Sequence, residues 1–261
     1  MNHYHLYRNA WCYLGAPHQE QRLEKSEWKT LLRKGGILVR NTYGFDQQKE
    51  TSFWYLIKDK YQGLEELDSS TRNRIQKANE TFEYRCVDRG LILEKGEDLY
   101  VETLTGFSQN DIASYLEDYR FYLDQDETEY WGCFDKSNGE LVGFAINYVA
   151  DHSCDYKIIG ILPKYKHNAT HVNYGLYHAM TAYYLQERKM RYVTIGTRSI
   201  TEHSNIHGFL MEKFRFRKAY CLLEIHYKWW VKLAVVLLYP FRKIIKGARV
   251  KAILNMEAMK S

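Results

Sequence analysis

Proline is scarce in this sequence, with three residues in 261. No Ser/Gly-rich or Gln/Asn-rich tract accompanies them, which excludes long linkers and low-complexity tails. Cysteines never come as a CxxC pair. The five present (Cys12, Cys86, Cys133, Cys154 and Cys221) are odd in number and far apart. That excludes a dense disulfide framework and fits reduced, mostly buried thiols in a cytoplasmic setting. The opening MNHYHLYRNAWCYLG holds no continuous apolar core of the kind a secretory signal needs. No segment repeats at solenoid or propeller periods.

Acid is missing from one region. Of 37 basic and 32 acidic residues, eight basic and one acidic, Glu257, fall in 225–261. The first 224 residues are thus left slightly acidic, with 29 basic and 31 acidic residues. A basic character confined to one end argues against a general nucleic-acid-binding surface and for a local anionic contact.

What is present is a globular composition, with 45% hydrophobic and 26% charged residues, and an excess of tyrosine, 23 in all. Tyrosine pairs an apolar ring with a polar tip and suits sheet faces, clefts and interfaces alike. Most of these serve as half-buried strand residues, and a minority can line a sugar- or acyl-binding groove. Residues 1–35 show little periodicity. Two runs rich in β-branched and aromatic residues, 37–43 and 52–57, predict strands flanking a turn-prone stretch. A helix capped by Asp68 or Ser69 follows, with Ile75 and Ala78 facing inward, and then an extended segment at 83–87.

From Ser108 the pattern sharpens. Ser108-x-x-Asp111 is a helix start in which each side chain can satisfy an orphan backbone N–H. Ile112, Tyr115, Leu116 and Tyr119 then repeat on one face. Strands are predicted over 130–134, 141–149 and 155–162, the first two joined by the turn Lys136-Ser-Asn-Gly139. A helix over 171–188, a buried strand at 192–196, a helix carrying Ile206, Phe209, Leu210 and Phe214, and a strand at 220–227 complete the order. An antiparallel meander passing into βαβ units gives a mixed α/β sheet with flanking helices. The expected organisation is an N-terminal region (1–107), a main domain (108–227) and a C-terminal amphipathic helical tail (228–261).

That order, with two local sequences, resembles the GNAT (N-acetyltransferase) superfamily. Leu162-Pro163-Lys164-Tyr165-Lys166 is similar to the Pro-x-Tyr-Arg segment closing the family's fourth strand. Asn205-Ile-His-Gly-Phe-Leu-Met211-Glu212-Lys213-Phe214 is similar to its Asn-led last helix, with Met211 where a tyrosine is usual. Upstream, Arg72-Asn-Arg74-Ile75-Gln-Lys77-Ala78 resembles a helix of the Fem-type peptidyltransferases, which have two GNAT-like halves and add amino acids to peptidoglycan precursors. On that similarity the N-terminal region is a reduced GNAT-like half.

The resemblance implies an acyltransferase with acetyl-CoA or another acyl-CoA as co-substrate, its pyrophosphate on Lys166, His167, Asn168, Ala169 and Thr170. This stretch contains no glycine, although glycines let backbone N–H groups approach a phosphate closely. Aminoacyl-tRNA is the donor that the Fem-like similarity implies, and a catalytically silent, glycan- or partner-binding module is the third reading. Acyl transfer to an amine needs a proton acceptor and an anchored substrate. The polar run leaving the 192–196 strand supplies His203 or Glu202 as base and Arg198, Ser199 and Asn205 as acceptor contacts; capping of local backbone groups is the competing role. His167/His171 and His203/His207 are each four apart, yet no HExxH or cysteine joins them into a metal set. The Fem-like similarity further implies an amine-bearing glycan or peptide of the cell envelope as acceptor.

The tail carries an apolar stretch, 229–241, that falls short of the ~20 residues a bilayer span needs. Phe241, Ile244, Ile245, Ala248 and Ala252 then repeat beside basic residues. Two roles fit: a helix lying in an anionic membrane interface, which places the protein at the inner face of the membrane, or a helix packing on the domain or on a second subunit as a homodimer.

Overall fold

The computed structural model describes residues 4–20, 22–166, 170–200 and 205–260. In chain order its elements are β1 (Tyr4–Tyr7), β2 (Ala10–Tyr13), α1 (Lys25–Lys34), β3 (Leu38–Gln47), β4 (Phe53–Lys58), α2 (Ser69–Thr81), β5 (Phe82–Val87), α3 (Arg89–Thr103) and α4 (Gln109–Leu123). There follow β6 (Thr128–Asp135), β7 (Leu141–Ala150), β8 (Ser153–Ile161), the single turn α5 (Pro163–Lys166), α6 (Val172–Ala182), β9 (Tyr192–Thr197), α7 (Ile206–Phe214), β10 (Arg217–Tyr227), α8 (Trp229–Leu238) and α9 (Ala248–Met259). The chain forms two compact units. The first comprises Met1–Leu56, Thr197–His207 and Arg217–Ser261, and the second Ile57–Gly196 and Gly208–Phe216.

The second unit is built on the strand order β9-β8-β7-β6-β5. Strands β5 to β8 are antiparallel to their neighbours, and β9 runs parallel to β8 after a crossover through α6. Every residue of β7 from Leu141 to Tyr148 is buried, as a strand covered on both faces must be. Phe144 and Ile146 join a cluster with Ile92, Tyr100 and Tyr119 from α3 and α4. Asn147 points the other way, its amide donating to Met180 Sδ (3.2 Å) and Tyr184 Oη (3.3 Å).

The caps read from sequence are in place. Asp68 accepts from the Thr71 N–H and Ser108 from the Asp111 N–H, and Ile75 and Ala78 are fully buried. Helix α6 contains Gly175 because nothing larger fits. A Cβ there would lie 2.2 Å from Tyr84 Oη, the hydroxyl that donates to the Val172 carbonyl at 3.2 Å. The helical segment ends in a π-helical turn, Tyr183–Glu187.

The first unit has the order β1-β2-β3-β10-β4. Strand β10 enters between the two early strands, pairing antiparallel with β3 through contacts such as Ile225 with Arg40. The tail contributes to this unit's core, in line with the packing role among the two read from the sequence. Val231 and Val235 of α8 and Leu254 and Met256 of α9 are buried in one cluster with Leu38, Phe53, Leu223 and Ile225. Tyr227 Oη also donates to Glu257 at 2.9 Å. The periodic stretch after Pro240 breaks into a turn and then α9, instead of one continuous helix.

Candidate functional site

In the second unit the parallel ladder between β8 and β9 covers three pairs only: Ser153 with Tyr192, Cys154 with Val193, and Asp155 with Thr194. Beyond them both strands continue, β8 to Ile161 and β9 to Thr197, without pairing to each other. The two strands thus part company beyond Asp155 and Thr194. A local cause is visible on the opposite edge of β8. Its register against β7 slips between Ile146–Ile158 and Asn147–Tyr156, leaving Lys157 as an extra bulged residue. A bulge bends and overtwists its strand, and such bulges gather beside active sites. Beyond Asp155 this edge of β8 makes no ladder pair with β9. Gly196, with φ of 83°, turns the chain out of β9 in a backbone region that glycine tolerates without strain. Buried Tyr156 lies within hydrogen-bonding reach (3.3 Å) of Thr181 on α6.

The segment between β8 and α6 is the stretch assigned to a donor's phosphates. His167, Asn168 and Ala169 lie outside the described residues. Tyr165 donates to Asp135 Oδ2 at 3.2 Å, the Thr170 hydroxyl to the Tyr165 carbonyl at 3.0 Å, and Lys166 Nζ to the Thr103 carbonyl at 3.5 Å. Burial lowers the Lys166 pKa. His171 sits at the N-cap of α6 with left-handed backbone (φ 54°) and supplies no side-chain cap. In the first turn of this helix the Tyr174 N–H donates to the His171 carbonyl at 2.8 Å.

Beside His171 is a groove of about 360 Å³ lined by Ser69, Ser70, Asn73, Arg74 and Lys77 of α2. Burial, followed by the charges of Arg74 and Lys77, depresses the His171 pKa. Two cations, two hydroxyls and an amide are a donor set suited to a phosphate. Arg74 also donates to Tyr174 Oη and lies over that ring. These residues come from the Fem-like helix.

A second cluster lies in the first unit, on the segment leaving β9. Arg198 donates from its backbone to the Trp54 carbonyl (2.9 Å) and from its guanidinium to the Ser52 carbonyl (2.6 Å). The guanidinium of Arg198 and the ammonium of Lys218 lie 5.8 and 5.3 Å from the Trp54 ring centroid. His207 meets the same ring edge-on at 5.3 Å. Its pKa is lowered by burial and by Arg198, against a hydrogen bond with the Thr197 backbone that raises it. Its Nε2 is buried with no partner among the described residues. A neutral imidazole with one nitrogen oriented by backbone and the other unengaged has the form of a general base.

Of the residues singled out from sequence, Arg198 is half-buried and bound as described, while Ser199 and Asn205 are exposed. His203 and Glu202 lie outside the described residues. His207 was marked in the sequence only by its spacing from His203, and its burial against Trp54 depends on a contact between distant parts of the chain. Among the described residues no group of three or more His, Cys, Asp or Glu could hold a metal ion.

A meander passing into a βαβ crossover, with central strands that splay after three pairs, defines a GNAT/Fem-like fold. Solved structures agree. The chain is similar to FemX, with a TM-score of 0.50 at 11% identity over 77% of this chain and 68% of that one. It is also similar to the C-terminal (DUF2156) domain of a putative lysylphosphatidylglycerol synthetase from Agrobacterium fabrum, with a TM-score of 0.51 at 10% identity over 89% and 82%. No protein-family model matches the chain, and no curated protein matches it in sequence.

Proposed function

We propose that this chain is a GNAT-fold acyltransferase that moves an acyl group from a phosphate-bearing donor to an amine of a cell-envelope glycan or its lipid-linked precursor. The observation that carries the reading is the splay of β8 from β9 beyond Asp155 and Thr194. It leaves an open strand edge whose N–H groups can stabilise the oxyanion of a tetrahedral intermediate. The donor's phosphate is assigned to the α6 N-terminus with Lys166, Thr170, Arg74, Lys77 and His171. Attack of the amine nitrogen on the acyl carbon requires a base to take its proton, which passes to the leaving group as the intermediate collapses, and His207 is the candidate for that base. Arg198, Ser199 and Asn205 are assigned to the acceptor, and His203 and Glu202 remain candidates for the base on the same segment.

The donor is acyl-CoA or aminoacyl-tRNA. The glycine-free 166–170 stretch favours the second, and so does the Fem-like helix at Arg72–Ala78. An envelope acceptor rests on the same Fem-like helix and on the fold shared with a putative lysylphosphatidylglycerol synthetase domain.

The test is single-turnover transfer from labelled acetyl-CoA and from labelled aminoacyl-tRNA to amino sugars and muramyl peptides. Transfer from one donor is expected, and His207→Gln should slow it by about 10²–10⁴-fold with an unchanged melting temperature. His203→Ala, run in parallel, identifies which histidine is the base. Failure of both donors either to react or to stabilise the chain would refute the proposal.

A further inference from the structure

Helix α8 has two apolar sides, and only one of them is packed. Val231 and Val235, four residues apart, are buried in the first unit's core. Trp229, Trp230, Leu233, Val236 and Leu237 fall on the other side at helical spacing and face solvent, with Trp229 79%, Leu233 54% and Leu237 62% exposed. Phe241 and Ile244 extend the same exposed apolar character past the helix. Nine of the fourteen exposed large hydrophobic residues among those described lie between Trp229 and Val250. Scattered exposed apolar side chains are ordinary, whereas a contiguous ridge of them marks a binding surface.

The charges around the ridge identify what covers it. Lys232, Lys243, Lys246, Arg249 and Lys251 are exposed, and none has an acidic partner among the described residues. From Ile225 to Met256 there are seven basic residues and no acid. A second copy of the chain would bring the same basic face against itself, because a twofold interface is made of one patch repeated, and like charges would oppose it. A bilayer containing acidic lipids satisfies both features, taking tryptophan and aliphatic side chains into its interface and basic ones against its headgroups. Helix α8 has ten residues, about 15 Å of helix against a hydrocarbon core of roughly 30 Å, and no helix among the described residues is long and apolar enough to cross.

We infer that the outer face of α8, with the basic segment running into α9, docks the protein onto an anionic membrane surface. The helix lies in the plane of the interface, held to the protein by Val231 and Val235 while Trp229, Trp230, Leu233, Val236 and Leu237 enter the lipid. The inference concerns binding alone and does not depend on the transfer reaction.

The experiment is flotation of the full chain with vesicles of phosphatidylglycerol in phosphatidylcholine and with pure phosphatidylcholine, across a salt series. Binding to the acidic vesicles that weakens with salt is expected, together with far weaker binding to the neutral ones. Lys243→Glu/Lys246→Glu should cut partitioning by at least about fivefold for each basic residue lost. Leu233→Gln/Leu237→Gln should cut it by about tenfold or more, with an unchanged melting temperature because both side chains are outside the core. No binding to acidic vesicles, equal binding to neutral ones, or full binding by the folded glutamine variant would each overturn the inference. So would a concentration-dependent dimer abolished by that variant, which would assign the ridge to a second copy. If the glutamine variant does not fold, the Lys243→Glu/Lys246→Glu pair alone decides: unchanged partitioning overturns the inference.

Discussion

Ending the chain after Tyr227 should unfold the first unit instead of releasing a soluble domain without its tail. The deleted segment contributes Val231, Val235, Leu254 and Met256 to a single buried cluster. Each fully buried side chain of this size is worth about 1.5–3 kcal/mol, so the four together supply about 6–12 kcal/mol. That is comparable to the whole stability of a typical domain, about 5–15 kcal/mol. The hydrogen bond between Tyr227 and Glu257 is lost as well. A finer perturbation isolates one contact: Leu254→Ala, at a site that is 1% exposed, should cost about 3–5 kcal/mol. Urea unfolding followed by far-ultraviolet circular dichroism measures both variants, since it does not rely on tryptophans that the truncation removes. A truncated chain with the full-length midpoint, or a Leu254→Ala variant within about 1 kcal/mol of the parent, would refute the placement of the tail in the core.

Two further outcomes follow from buried polar groups. Lys58, at the end of β4, is 3% exposed and pairs with Glu66 at 2.5 Å. Glu66→Gln strands that charge and should cost about 3–5 kcal/mol, or about 6–20 °C by calorimetry, while Lys58→Met/Glu66→Leu should recover most of it. His178 has its pKa lowered by burial, so the unfolded chain binds its proton more readily than the folded one. Stability is then fully present above the ordinary histidine value of about 6.5 and declines as pH falls from there through the lower folded value. Urea midpoints across that window should show a shallower decline in His178→Phe.

Several elements after Ser108 were legible where one side of the element is buried and the other is not. The 3–4 spacing on α4, the cap at Ser108 and the turn at 136–139 agree with the structure, since half-buried elements write their orientation into the sequence. Helix α3 was not legible. Ile92, Gly96, Leu99 and Tyr100 are buried on one side while Leu93 and Val101 are exposed on another, so apolar residues surround the helix and no stripe stands out. Residues 1–35 hid two four-residue strands whose pairing depends on β3. At the site, neither the early end of the β8–β9 ladder nor the bulge at Lys157 leaves a local mark in the sequence. The α2 groove was half-legible. Arg74 and Lys77 stood in the Fem-like helix, but their approach to His171 is a long-range contact that one sequence cannot display. The role of α8 as both core and exposed ridge was hidden too, because periodicity reports an apolar side without telling which side is covered.

The first unit also sets a timetable for synthesis. Strand β3 pairs with β2 on one edge and with β10 on the other, and the second unit lies between β3 and β10 in the chain. At ribosomal speeds of about 5–20 residues per second, the stretch from 57 to 216 takes roughly ten to thirty seconds to emerge. Throughout that interval β3 presents an unpaired edge bearing Leu38 and Val39, a template for misplaced strands. The later segment, 57–196, is meanwhile long enough to fold by itself. A nascent chain of this protein therefore offers chaperones its earliest residues longest, and a stalled ribosome anywhere before residue 217 leaves them without their partner.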